Sequence, residues 1–201
     1  MGGPLDVQTG TGFLALAFVV PLSLAWYNIR RLQIEQHRAW MLRAWVNAGA
    51  IITSRICFFA MLFITAPAGY ATVRPCEQID FEHYGNRTKV LARFPGCAGF
   101  YSGVNGTDPH LAVVVPVDPP KAGPSWVGSS LTLNFGASVW LSLAIHMIGV
   151  EIYLRLTPAE AERLRNISYQ RQAEAGMKNP GSAGLTVDSL GDSAKWTPSS
   201  G

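Results

Sequence analysis

The stretch TGFLALAFVVPLSLAWYNI, residues 11–29, carries no charged side chain. It matches the roughly 20 residues of helix that cross a bilayer. Two further runs of the same kind follow, at 39–66 and 131–156. The second is apolar apart from Arg43, Asn47 and Arg55. The third holds His146, Glu151 and Arg155 in its inner half. A soluble protein can bury one such helix, but three in 201 residues leave little chain for a soluble shell. Only 14% of the residues are charged, against about 25% in ordinary soluble domains. That deficit excludes a disordered chain and a strongly charged nucleic-acid binder. The expected fold is all-α and integral to the membrane, with three transmembrane helices and the lipid bilayer as first partner.

Basic residues orient the spans, because short loops rich in Lys and Arg stay on the cytosolic side. Arg30, Arg31, Arg38 and Arg43 follow the first run, and Arg155, Arg163, Arg165 and Arg171 follow the third. No Lys or Arg precedes Thr11. The N-terminus is therefore expected to be lumenal and the C-terminus cytosolic, in the endomembrane or secretory pathway. A secretory signal would need basic residues before its apolar core, so the first run reads as a retained helix. The lead at residues 1–10 reads as an inter-helix loop, which leaves room for a helix upstream.

Between the second and third runs lies a segment at 67–130, rich in Gly, Pro and aromatics and lumenal by this orientation. Cys76 and Cys97, its two cysteines, are expected to form a disulfide in an oxidising compartment. Asn86-Arg87-Thr88 and Asn105-Gly106-Thr107 are sequons on the same face, so Asn86 and Asn105 are candidate glycosylation sites. Residues 111–117 form a short β-like run. After the third span, Thr157-Pro158-Ala159-Glu160 reads as a capping box opening a cytosolic amphipathic helix at 157–176. Composition predicts a disordered tail at 177–201. The domain division is thus a membrane domain at 1–156, that helix, and the tail.

Ionisable groups inside a bilayer are costly, and each is a functional candidate. Antiparallel packing of the second and third runs puts Glu151 near Arg43 and Asn47, with His146 between that level and Arg55. One reading is a structural ion pair. The sharper one is an acid–base cluster in which Glu151, His146, Arg55 and Arg43 form a catalytic pocket, Glu151 moving a proton. Haem b would need axial histidines facing one another. His37 and His146 differ in depth by roughly 20 Å at the rise of an α-helix, too far for one haem in one subunit. Cys57 lies within the second run and reads as a small hydrophobe. There is no phosphate-binding glycine loop, nucleophile elbow or zinc motif, so no cofactor and no metal are expected.

The segment Gln33-Ile34-Glu35-Gln36-His37-Arg38-Ala39-Trp40-Met41-Leu42-Arg43, followed by Ile51-Ile52-Thr53-Ser54-Arg55, resembles the signature of a family of integral membrane proteins. That family is catalogued as a domain of unknown function, number 2306, and the likeness is to its fungal members. A glutamate near the end of a later helix matches Glu151 in His146-Met147-Ile148-Gly149-Val150-Glu151. The likeness runs over about residues 10–151, and members of the family carry further helices upstream. It implies architecture more than activity. In size, helices and intramembrane acids, the chain is also similar to the small integral-membrane cyclases of fungal meroterpenoid pathways.

Three functional readings stay open from sequence. The leading one is a cofactor-independent intramembrane cyclase or isomerase in fungal secondary metabolism, acting on an apolar, isoprenoid-like small molecule. A second is a haem-b electron-transfer protein, assembled as a homo-oligomer. The third is a non-catalytic scaffold or transporter subunit bound to a membrane partner.

Overall fold

A computed structural model describes residues 4–102, 111–191 and 193–198. Its helix α1 (Leu5–Arg30) opens on the carbonyl of Pro4, which accepts from Val7 and Gln8 N–H. After α2 (Ile34–Thr65) come β1 (Ala71–Pro75), α3 (Cys76–Glu82), α4 (Arg87–Arg93), α5 (Ala98–Tyr101), β2 (Ala112–Pro116) and α6 (Pro119–Ala122). The chain continues with α7 (Ser125–Leu156), α8 (Pro158–Glu174) and α9 (Val187–Leu190). α1, α2 and α7 are each long and apolar enough to cross a membrane. Two compact units form: Met1–Gln8 with Thr53–Leu141, and Thr9–Ile52 with Ser142–Gly201.

The first unit corrects the all-α expectation. The β-like run pairs antiparallel with β1, Val73 opposite Val114, in a two-stranded sheet. Alternation hid β1, because ATVRP places only Arg74 deep in the interior. Behind the sheet, Ile79, Val90, Phe94 and Val115 pack around a Cys76–Cys97 disulfide. Arg74 makes an ion pair to Glu82 at 2.9 Å and a hydrogen bond to the Ser125 carbonyl. Thr72 and Ser129 hydroxyls meet at 2.7 Å, and Ser129 donates to the Val115 carbonyl at 2.8 Å. These bonds hold a polar first turn in helical form, so α7 starts at Ser125 rather than at the hydropathy boundary near Leu131. A Cβ on Gly128 would fall 1.6 Å from Arg74 Nη1, so a larger residue there must displace the Arg74–Glu82 pair. Asn86 is exposed and caps α4, accepting from Lys89 N–H at 3.1 Å. Asn105 lies outside the described residues.

In the second unit, α1 ends in a left-handed turn at Leu32 (φ 54°), with Gln33 N–H donating to the Asn28 carbonyl. α8 ends similarly, at Gly176. The capping box is not formed: the Thr157 hydroxyl donates back to the Tyr153 carbonyl. The stripe that α8 buries is polar, Ser168 and Gln172.

Composition predicts disorder beyond residue 177, and there the structure differs. Side-chain amides bind this segment by its backbone. Gly181 N–H donates to Gln172 Oε1 at 2.6 Å, Gly184 N–H to Gln33 Oε1 at 2.9 Å, and Leu185 N–H to Asn28 Oδ1 at 2.8 Å. Arg165 pairs with Asp188 at 2.6 Å and lies over the Trp196 ring. Burial opposes charge on Asp188. Hydrogen bonds from Ser182, Thr186, Trp196 N–H and Arg165 outweigh it and hold the carboxyl below the usual carboxylate range. A Cβ on Gly184 would sit 2.5 Å from Asn28 Oδ1 and from Gln33 Cβ. Low hydrophobicity misleads here because polar bonds, not apolar burial, fix the segment.

Two outcomes test these units. Gly184→Val should release the 178–198 segment, read as rapid trypsin cleavage after Lys178 while the rest of the chain stays intact. In the first unit, burial and then the hydrogen bond to Asp80 push the Tyr101 hydroxyl up to about 12. Its neutral form is thus favoured by folding, so this contribution is whole below the ordinary tyrosine value near 10 and is lost between there and about 12. Absorbance titration of Tyr101→Phe against the parent should show one late-titrating phenol missing.

Candidate functional site

In the second unit, three α2 side chains share one stripe: Trp40, Arg43 and Asn47, spaced three and four residues apart. They line a cavity of about 850 Å³ with Phe13, Leu16, Ala17, Val20 and Pro21 of α1. Met147, Ile148, Val150, Glu151, Ile152 and Arg155 of α7 complete its wall. The wall is apolar but for the α2 stripe and two charged residues of α7.

Arg43 and Glu151 form a fork: Nε donates to Oε1 at 2.6 Å and Nη2 to Oε2 at 3.1 Å. Arg43 Cζ also stands 4.6 Å from the Trp40 ring centroid, a cation–π contact. Such a fork uses both carboxylate oxygens and matches the planar guanidinium. It also cancels two charges that hydrocarbon would penalise separately. Removing either partner strands the other's charge at the cleft.

Pro21 shapes the opposite wall. Proline has no N–H, so a mid-helix proline deprives the carbonyl four residues back of its partner. Here that carbonyl belongs to Ala17, and Asn47 Nδ2 donates to it at 3.3 Å. Asn47 thus replaces the missing N–H, as an apolar span would require. The bond also orients the amide, and Asn47 Oδ1 is left buried without a hydrogen-bond partner among the described residues. Trp40 Nε1 is in the same state.

Of the four residues expected to make a catalytic pocket, Arg43 and Glu151 are brought together in this cavity. His146 is in the same unit but is not among the lining residues. Five residues from Glu151, it is turned by about 140° around α7 at 100° per residue. Its Nδ1–H donates to the Val46 carbonyl, beside Gly49, where a Cβ would come within 3.0 Å of His146 Cε1. Arg55 belongs to the other unit. It lies 5.7 Å from the Phe135 ring centroid and lines a recess with Pro4, Val7, Leu131 and Thr132. Of the expected cluster, Arg43 and Glu151 thus share one cleft within the second unit, and His146 is held by the Val46 carbonyl outside its lining. His37 Nδ1–H donates to the Ala25 carbonyl at 2.9 Å and ties the start of α2 to α1. Among the described residues, no group of three or more His, Cys, Asp or Glu could hold a metal ion.

Sequence reasoning missed Pro21, Ala17 and Trp40 as cleft residues. The signal for one of them was present: a proline within a span calls for a polar side chain on a neighbouring helix, and Asn47 is such a residue. The chain matches no family model, no curated protein and no solved structure.

The Pro21–Asn47 relation is a measurable coupling. Asn47→Leu should destabilise the protein by about 1–2 kcal/mol, the scale of an interhelical hydrogen bond in a membrane. In a Pro21→Ala background, where residue 21 regains its N–H, the same change should cost much less. Unfolding in mixed micelles by a double-mutant cycle checks it; equal costs in both backgrounds would refute the coupling.

Proposed function

We propose that the chain is a multi-pass membrane protein that binds an apolar, isoprenoid-class substrate in the Arg43–Glu151 cleft. Glu151 then moves a proton in a cofactor-free cyclisation or isomerisation. By the arginine distribution, the N-terminus and the segment between α2 and α7 are lumenal, and α8 with the following segment is cytosolic. The carrying observation is the cleft itself, about 850 Å³ of apolar wall around one forked ion pair. An isoprenoid chain fits such a wall by burial alone, at about 25 cal/mol per Å² of apolar surface.

The fork supplies the chemistry. At rest, Arg43 occupies both oxygens of Glu151. A substrate oxygen that accepts from Arg43 Nη2 releases Oε2, which takes a proton from one substrate carbon and returns it to another, leaving the carboxylate as it began. Arg43 stays beside the carboxyl and balances its charge through the transfer. Asn47 and Trp40, on the same stripe of α2, add their side chains to the wall. His146, bonded to Val46, is a positioning residue in this reading, and Arg55 has no part in the transfer.

A second reading is favoured by the fork alone: Arg43 and Glu151 serve as structural glue between spans, and the protein is a membrane scaffold. A photoreactive farnesol analogue in nanodiscs made up in D₂O separates the two. The enzyme reading expects crosslinks within residues 13–21 and 147–152, lost in Ala17→Trp, and deuterium incorporated into the recovered probe. Glu151→Gln should keep the crosslinks and lose the deuterium. Crosslinks without incorporation in the parent protein would sink the proton-transfer role, and crosslinks confined to other segments would sink the cleft as the binding site.

A further inference from the structure

Two sets of contacts fix how the helices run along the cleft of the second unit. His37 meets the Ala25 carbonyl and Asn47 the Ala17 carbonyl, so α2 runs antiparallel to α1. His146 meets the Val46 carbonyl and Arg43 meets Glu151, so α2 runs antiparallel to α7 as well. α1 and α7 therefore run the same way. Along both, the cleft extends over eight residues, Phe13 to Pro21 and Met147 to Arg155, about 12 Å at the α-helical rise.

The two ends of the cleft differ in character. Phe13, Leu16, Met147 and Ile148 line the first end, and all are apolar. The fork stands toward the other end, where Arg155 joins the wall one turn beyond Glu151, about 6 Å further along α7. Two arginines of the lining stand against one glutamate. Arg43 and Glu151 cancel, so the cleft keeps the positive charge of Arg155. Arg155 is exposed and, among the described residues, makes no hydrogen bond, ion pair or ring contact. The acids nearest to it in sequence are occupied. Glu151 is held by Arg43, and Glu160 accepts from Nε and Nη2 of Arg163 at 2.7 and 2.8 Å. A cation in the last turn of a helix is common. One that also lines an apolar cleft favours a ligand that brings an anion and an apolar body together, because a guanidinium pairs best with a carboxylate or phosphate.

We infer that the cleft takes an anionic amphiphile: an isoprenoid-class chain along α1 and α7, with a carboxylate or phosphate head on Arg155. This rests on the cleft being the binding site, and it names the head group of the substrate. Arg155 is then the specificity residue. The fork, neutral as a unit, does not repel the head. Holding the head one turn from Glu151 also sets which carbons of the chain lie beside Oε2, so Arg155 fixes the register of the substrate.

The test compares three photoreactive probes of one farnesyl chain, ending in an alcohol, a carboxylate or a phosphate. They are titrated against the full chain in phosphatidylcholine nanodiscs, and half-saturation of crosslinking within residues 13–21 and 147–152 is read by mass spectrometry. At least one anionic probe should bind about tenfold tighter than the alcohol. Arg155→Gln should abolish that preference and leave the alcohol unchanged, which also reports an intact cleft. Arg155→Lys, which keeps the charge, should retain most of it. Parent and variants share one bilayer, so unequal partitioning of the probes cancels between them. Equal binding of all three probes in the parent would overturn the anionic head and leave the cleft as the binding site. A preference that survives Arg155→Gln would overturn the role of Arg155. Crosslinks from none of the probes within these residues would overturn the cleft itself, and this inference with it.

Discussion

A carbonyl inside an apolar helix that loses its N–H needs another donor, and much of the second unit answers to that constraint. Pro21 strips the Ala17 carbonyl of its helical partner, and Asn47 reaches across to replace it. His37 and His146 donate likewise, to the carbonyls of Ala25 and Val46. Three polar side chains that look like chemistry in a list of intramembrane groups are thus engaged with main chain. The Arg43–Glu151 fork lines the cleft with Arg155, and the functional proposal rests on the fork.

Charge inside the second unit is arranged to cancel locally. Arg43 meets Glu151, and Arg165 meets Asp188. The two pairs do different work. The first stands at a cavity and is partly open to it. The second lies among donors that stabilise the charged carboxylate, and it fastens a polar segment onto α8. Glu35 sits in a related network, its oxygens accepting from Gln33 and Ser168.

Much of this architecture is readable from the chain because long-range forces there have short-range signatures. Three apolar runs announce three helices, and antiparallel counting from their ends puts Glu151 opposite Arg43. The Cys76–Cys97 pairing follows from there being no other cysteine outside the spans. Legibility fails where the partner is distant and polar. Nothing local in ATVRP shows that it pairs with 112–116, and nothing in NPGSAGLT shows that three side-chain amides wait for its backbone. His146 misleads for a simpler reason: depth along a helix was readable, but the 140° turn away from Glu151 decides which wall it joins.

The fork also has a history within each molecule. Arg43 is made more than a hundred residues before Glu151, and both belong to the same compact unit. If α1 and α2 enter a bilayer as they are made, Arg43 does so near the start of its helix without its carboxylate. Until α7 follows, the guanidinium must borrow water, phosphate or the translocation machinery. The order of synthesis makes α7 the helix that completes the pair, and a chain interrupted before residue 151 would carry Arg43 without its carboxylate.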